Sequence, residues 1–313
     1  MKNAVSNTMA LWFFLVFSLH CAVTRCHALS DNILVVGATG TTGLRAIQGL
    51  LDVGYKPHQL FILTRNASRT HMKQLKKLGF CLIQADLQRP SSLVAMHQDV
   101  TSIVYNSAAA AKDHGVKRIQ QKHDVESILM HHSKYPRHVT CLRANLFMEE
   151  LWKRYTRPQI LKGEYPLPVN RWRKLYLTSV RDMGRLAGTV VARESAFKQD
   201  ARSKSTRIVN VAGDLLSGPQ IARAFGKAQG FPCRHVNNRE LTKFAKENFP
   251  ELYEQIHFIQ TSPEKTNIRT LKKEFPGLIT SFKEFLDETK WGNVDLEFDD
   301  LSKPESLDVP DNM

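Results

Sequence analysis

The sequence predicts an α/β fold, a doubly wound parallel sheet with a smaller, mainly helical C-terminal lobe. Three observations carry this. Apolar runs of strand length, Ile33-Leu-Val-Val36, Leu60-Phe-Ile-Leu-Thr64 and Phe80-Cys-Leu-Ile-Gln-Ala85, alternate with segments of helical period, and such alternation argues for βα units. A glycine turn, Gly37-Ala-Thr39-Gly40-Thr41-Thr42-Gly43, follows the first run and leads into Leu44, Ile47, Leu50 and Leu51 at helical spacing. The 313 residues are 42% hydrophobic and 24% charged, the balance of a globular chain with one large domain, or one domain and a lobe.

The glycine turn is the most specific local signal. Strand, glycine turn and helix together turn a weak glycine pattern into a dinucleotide-binding hypothesis. Glycines let the backbone turn sharply and approach a pyrophosphate, and the unpaired N–H groups at the helix start face the anion. The spacing is G-x-x-G-x-x-G. Gly37, Thr39, Gly40, Thr41, Thr42 and Gly43 are the residues expected to cradle the phosphates.

The end of the second strand decides between cofactors. An acid there binds the ribose hydroxyls of NAD, whereas an arginine accommodates the 2′-phosphate of NADP. Here Thr64 is followed by Arg65, with Arg69 four residues on and no acid at the strand end. The arginine fork can donate two parallel hydrogen bonds to a phosphate. NADP(H) is therefore favoured over NAD(H). Asp86 and Leu87, after the third strand, fall where an adenine would arrive; a helix N-cap is the alternative role for Asp86.

The remaining elements follow in order. A helix is expected over His71–Leu78 and another near Ser92–His97. Thr101–Tyr105 reads as a fourth strand, Asp124–His132 as a helix, His138–Arg143 as a fifth strand and Arg207–Val211 as a sixth. Ser217 and Gln220 fit a capping box for a helix over Ile221–Gln229. Residues 235–291 look mainly helical.

Charge is unevenly spread. The formal net charge is +14. Residues 292–313 hold seven acids against Lys303 alone and read as an acidic tail. The body is correspondingly more basic, which favours anionic ligands or surfaces. Nucleic acid is the least supported of these, because no recognition-helix or zinc-finger signature accompanies the charge.

Residues 1–28 read as a targeting segment. Lys2 precedes the apolar stretch Met9–Val23, and Cys26-His27-Ala28 places small residues for cleavage after Ala28. At about 15 residues the stretch is short of the roughly 20 of a membrane span. The expected route is the secretory pathway, with an uncleaved anchor facing the cytoplasm as the alternative. Cleavage leaves Cys81, Cys141 and Cys233, which form neither a disulfide framework nor a metal pattern. The sequon Asn66-Ala67-Ser68 lies in the loop assigned to the ribose phosphate, so a glycan there would block the cofactor.

Several of these segments, in this order, resemble the NmrA-like group of atypical short-chain dehydrogenase/reductase proteins. They are Gly37–Gly43, Thr64-Arg65-Asn66, Ala85-Asp86-Leu87, Leu142-Arg-Ala-Asn145-Leu-Phe147-Met-Glu149, Ser179-Val-Arg-Asp182-Met-Gly184-Arg185, Val211-Ala-Gly213-Asp214 and Phe275-Pro-Gly-Leu278. The resemblance spans about 32–291 and implies a Rossmann fold. It places a NAD(P)-binding domain over 29–291, whose substrate lobe comprises about 150–170 and 215–291. It puts Asn145 and Phe147 on the substrate side. The group holds both reductases and non-enzymatic NADP-binding regulators.

The resemblance also exposes two departures. Short-chain reductases typically use a Tyr-x-x-x-Lys pair, in which the lysine lowers the tyrosine pKa. The matching lysine is Lys122, but Arg118 stands four residues earlier. Lys122 is then the proton donor, a ribose ligand, or a solvated helix-start lysine. Ser107 matches the serine of the catalytic strand; a turn-capping serine is the alternative. The second departure is length. Between Asp86 and Lys122 the group places two strands, and this chain has signal for one. In the preferred register 101–107 is the catalytic strand and the preceding βα unit is missing; in the other, Ala108–Lys117 is a helix and the catalytic strand is missing. A parallel sheet cannot leave a central gap without exposing backbone groups, so the strand must slide into the vacant place or the chain is a defective product. The expected function is an NADP-dependent oxidoreductase of a small molecule. A non-catalytic NADP(H) sensor or scaffold with a protein partner is the alternative.

Overall fold

The computed structural model describes residues 31–86, 89, 92, 99–109, 116–131, 138–152, 156–196, 205–261 and 265–293. The targeting segment, Leu87, most of the expected 92–97 helix and the acidic tail beyond Asn293 lie outside them.

A six-stranded parallel sheet forms the centre. Its strands are β1 (Ile33–Val36), β2 (Leu60–Thr64), β3 (Cys81–Gln84), β4 (Ser102–Ala108), β5 (His138–Ala144) and, last, Ser205–Val211. Between the first three run α1 (Thr41–Asp52) and α2 (Thr70–Lys77); α3 (Lys117–His131) lies between β4 and β5. The lobe then contributes β6 (Leu146–Phe147), α4 (Arg157–Ile160), β7 (Glu164–Pro166) and β8 (Lys174–Thr178). Helix α5 (Val180–Ala196) leads back to the sheet, so its sixth strand is β9. The strand order is β3-β2-β1-β4-β5-β9, the doubly wound order with its switch point between β1 and β4.

The first strand explains the unbroken apolar run. Ile33 and Val35 pack on one face of the sheet with residues of α1, α2 and α5. Leu34 and Val36 pack on the other with Val125, Ile128 and Leu129 of α3. Both faces are covered, so no position alternates with a polar one. Helices α1 and α5 approach until their backbones touch. A Cβ at Gly49 would stand 1.9 Å from the Gly184 carbonyl, and one at Gly188 2.0 Å from that of Gly49.

The shortened segment leaves no gap. β4 pairs with β1 on one side (Ile33 with Ser102) and with β5 on the other (Ser102 with His138). The strand has taken the place beside β1 and is paired along both of its edges. The helix after it is longer than its sequence pattern predicts. It starts at Lys117 rather than Asp124, so Lys122 lies inside α3 and not at its start. Cys141 is buried, whereas Cys81, on the edge strand β3, is half-exposed.

The lobe completes the chain with β10 (Asp214–Ser217), α6 (Gly218–Gln229), β11 (Arg234–Val236), α7 (Arg239–Asn248), α8 (Pro250–Thr261), α9 (Ile268–Glu274) and α10 (Phe282–Glu288). It is helical as expected, with short strands that the sequence reading does not contain: β10-β8-β6 form one small sheet and β11-β7 another. Apart from the five-residue β8, these runs of two to four residues are too short to show a period. Trp152, Tyr165, Phe225, Phe282, Phe285 and Trp291 build a separate core there. Ser217 and Gln220 form the predicted capping box, in which Gln220 Oε1 accepts from the Ser217 N–H at 2.9 Å.

Candidate active site

The glycine turn sits at the carboxyl edge of β1. Gly37 has φ +79°, a conformation that a Cβ disfavours. The Gly40 N–H donates to the Gly37 carbonyl at 3.0 Å and closes the turn. A Cβ at Gly43 would lie 2.1 Å from that same carbonyl, so only glycine lets α1 start this close to the strand. Gly40 is the N-cap of α1, no side chain caps it, and no acid stands in the first turn. The helix start is thus an open, positively polarised end.

Parallel pairing carries the second strand to the same edge. Val35 pairs with Ile62, so Arg65 emerges one strand, about 4.8 Å, to the side of the glycine turn. Arg65 and Arg69 are both exposed. Thr64 is buried, and its hydroxyl donates to the Asn66 carbonyl at 3.2 Å, which shapes the loop. β3 ends beside it, with the Ala85 N–H donating to the Thr64 carbonyl at 3.0 Å. Ser92 holds the next residue: the Asp86 N–H donates to its Oγ at 2.8 Å. An uncapped helix start, a glycine cradle and two exposed arginines fit the phosphates of a nicotinamide dinucleotide.

A cavity of about 1320 Å³ opens from this edge towards the lobe. Gly37, Gly40, Thr42 and Gly43 line one end; Lys122 and Tyr105 stand in the middle; Asn145, Phe147, Trp172, Tyr176 and Phe258 line the other. Tertiary folding therefore joins the predicted cofactor loop, the predicted lysine and the predicted substrate-side residues in one cleft. Thr39, Thr41, Thr64, Arg65, Arg69 and Asp86 are not on its wall.

Lys122 Nζ donates to the Asn106 carbonyl at 3.4 Å. Burial lowers its pKa, and Glu126 partly opposes that shift. Ser107 is not on the cavity wall. It is buried beside Glu126, beneath Tyr105, Asn106 and Ala108, which do line it. Burial works against the Glu126 carboxylate, but the hydrogen bonds and charge of Arg143 prevail and hold its pKa below the usual range. Arg143 grips it with two nitrogens, Nε at 3.0 Å and a terminal NH2 at 2.6 Å. Ser107 thus lies behind the cleft, beside the part-buried Glu126–Arg143 ion pair, rather than facing it.

Asn145 braces the junction between sheet and lobe. Its Nδ2 donates to the Val211 carbonyl at 3.0 Å, and its backbone N–H donates to Thr178 Oγ1 at 3.1 Å. Sequence reasoning missed Tyr105, Trp172, Tyr176 and Phe258. For Tyr176 a signal existed: Lys174-Leu-Tyr-Leu-Thr178 alternates as a strand does. Burial raises the Tyr105 pKa well above the usual phenol range.

Sheet order, glycine turn and carboxyl-edge cleft together define a Rossmann-like α/β fold. Residues 30–119, which hold the glycine turn, match the model of the NmrA-like family. Photosystem II assembly factor Ycf39 of Cyanophora paradoxa is 37% identical over 82 residues, and that of Guillardia theta 34%. The matched stretch is 26% of this chain and 24% of those proteins, so the chain spans about a quarter of the length of the curated relatives it matches. The fold extends further than the sequence likeness. A Citrobacter triphenylmethane reductase complexed with NADP(H) superposes with TM-score 0.60 over 82% of this chain and 99% of its own, at 17% identity. An Escherichia coli NADPH-dependent quinone oxidoreductase complexed with NADPH does so with TM-score 0.59, 82% and 99% coverage, and 17% identity.

Proposed function

We propose that this protein binds NADP(H) at the glycine turn and transfers reducing equivalents to or from a small molecule held against the lobe. The observation that carries the reading is the single cleft that runs from Gly37, Gly40 and Gly43 past Lys122 to Asn145 and Phe147. When bound, NADPH supplies a hydride. Gly40 and the α1 start bind the pyrophosphate, and Arg65 with Arg69 holds the 2′-phosphate. Lys122, whose burial makes its ammonium a stronger acid than usual, would hold and donate a proton towards a substrate oxygen. Phe147, Trp172 and Phe258 exclude water and hold the apolar part of the substrate. The two neighbouring folds solved with NADP(H) or NADPH support the choice of cofactor.

Titrating the purified protein with NADPH and NADH tests this. Arg65→Glu should weaken NADPH by about tenfold or more, the worth of one charge-assisted hydrogen bond, and leave NADH nearly unchanged. Equal loss of both would remove Arg65 from the phosphate site. Absence of saturable binding would remove the cofactor altogether.

A second reading, an NADP(H) sensor without turnover, is favoured by one observation. Position 118 is arginine where the reductases' tyrosine stands, and the tyrosine nearest in sequence, Tyr105, is a weaker acid than a free phenol. Stoichiometric NADPH binding without oxidation of NADPH by any quinone or carbonyl acceptor would select it. Entry into the secretory pathway rests on residues 1–28 and is tested by the N-terminus of the mature protein; a start near Leu29 supports it.

A further inference from the structure

A second groove, on the lobe, is strongly basic. It has a volume of about 870 Å³ and is lined by Arg171, Arg223, Lys227, Phe231, Arg234 and His235, with no Asp or Glu among its described lining residues. Arg223 and Lys227 stand four residues apart on α6 and share one helix face. Arg234 pairs with Glu164 at 2.5 Å.

The path of the chain singles this groove out. The Trp291 ring packs on Phe225 of α6, with centroids 4.4 Å apart. A Cβ at Gly292 would lie 2.9 Å from the Ala228 carbonyl. Arg157 fixes the exit, donating to the Trp291 carbonyl at 3.2 Å and the Asn293 carbonyl at 2.5 Å. The chain therefore leaves the folded body against Ala228 and Gln229 at the end of α6, one residue along the chain from Lys227 and Gly230 of the groove. The residues that follow include Asp295, Glu297, Asp299 and Asp300. An extended chain advances about 3.5 Å per residue, so all four acids lie within roughly 25 Å of Asn293.

We propose that this groove is the docking site of the chain's own acidic segment, residues 294–313. Charge complementarity and the place of exit both select it over other anions. A single exposed ion pair is weak, but a short tether raises the local concentration of the acids to the millimolar order. The docked segment covers Cys233, whose half-buried side chain lines the groove, and neutralises the basic face.

Alkylation of Cys233 by neutral N-ethylmaleimide reads this in the full chain, with half-exposed Cys81 in the same molecule as the internal reference. Replacing the four proximal acids together (Asp295→Asn, Glu297→Gln, Asp299→Asn, Asp300→Asn) should speed Cys233 modification about threefold or more and leave Cys81 unchanged. Arg223→Gln with Lys227→Gln should do the same, and salt near 0.5 M should bring the wild type to the variants' rate. Wild-type rates should not change on about hundredfold dilution, because the segment docks within its own molecule. Equal Cys233 rates in wild type and variants would overturn the proposal. A rate that rises on dilution would assign the groove to the segment of a second copy instead, and would equally overturn docking within the molecule.

Discussion

Gly43 shows how one residue ties sequence to function. Its hydrogen is the only substituent that fits 2.1 Å from the Gly37 carbonyl. Gly43→Ala must push α1 away from β1, which we expect to destabilise the protein by about 1–3 kcal/mol, the usual effect of overpacking. The same shift withdraws the helix start from the phosphates. NADPH affinity should therefore fall even at temperatures where circular dichroism shows the variant fully folded. Gly40→Ala is the contrast, since a Cβ there meets only the Gly37 carbonyl, at an ordinary 3.6 Å. It should leave the melting temperature nearly unchanged, and any loss of affinity then reports contact with the ligand. The glycine pattern was legible in the sequence because a backbone constraint leaves no other residue available. Ser107 was not legible in the same way, since its neighbours come from another strand and a helix.

At the scale of elements, α5 is started by a group from the lobe. Glu149 accepts from the Val180 N–H at 2.8 Å and from Ser179 Oγ at 3.0 Å, so its side chain caps the helix. Burial, with Asp182 adding to it, pushes the Glu149 pKa up to about 7. A carboxyl with a raised folded-state pKa holds its proton more tightly in the folded protein than in the unfolded chain. Its contribution is fully present below the ordinary glutamate pKa and is lost as pH rises through about 7. Stability should thus decline between about pH 4.5 and 7.5, by at most about 3 kcal/mol. Glu149→Gln keeps an acceptor for Val180 and removes the titration. Urea unfolding of that variant should show a flatter pH profile over this range, with a gain over wild type at pH 8. An unchanged profile would place the titration elsewhere. Nothing in the sequence around Glu149 announces this role, because the helix it caps begins 31 residues later.

The whole molecule is a parallel sheet joined to an aromatic lobe, and the last described residues lock the lobe shut. Trp291 packs edge-on to Trp152 at 5.0 Å and against Phe225 at 4.4 Å. Arg157 lies 4.1 Å over the Trp152 ring and 5.5 Å from that of Trp291. Trp291→Ala opens a cavity in this core and should lower stability by about 3–5 kcal/mol. Because the Arg157 contacts fix the exit of the chain, the same variant should also speed Cys233 modification. A shift below 1 kcal/mol in urea unfolding, in the range of a surface substitution, would mean that the lobe closes without this residue.

The sequence by itself determined the sheet, the glycine turn and the arginines after β2. Each depends on local chemistry: strand runs buried on both faces, a turn that only glycine makes, and charge placed by strand end. It also showed that one βα unit is short. Only the tertiary structure decided how the sheet closes over that shortage, because strand order is set by pairing between distant segments. It likewise decided that Lys122 and Phe147 share a cleft while Ser107 lies behind it, and that the acidic segment departs beside a basic groove. Those relations join residues far apart in sequence, and no local pattern encodes them.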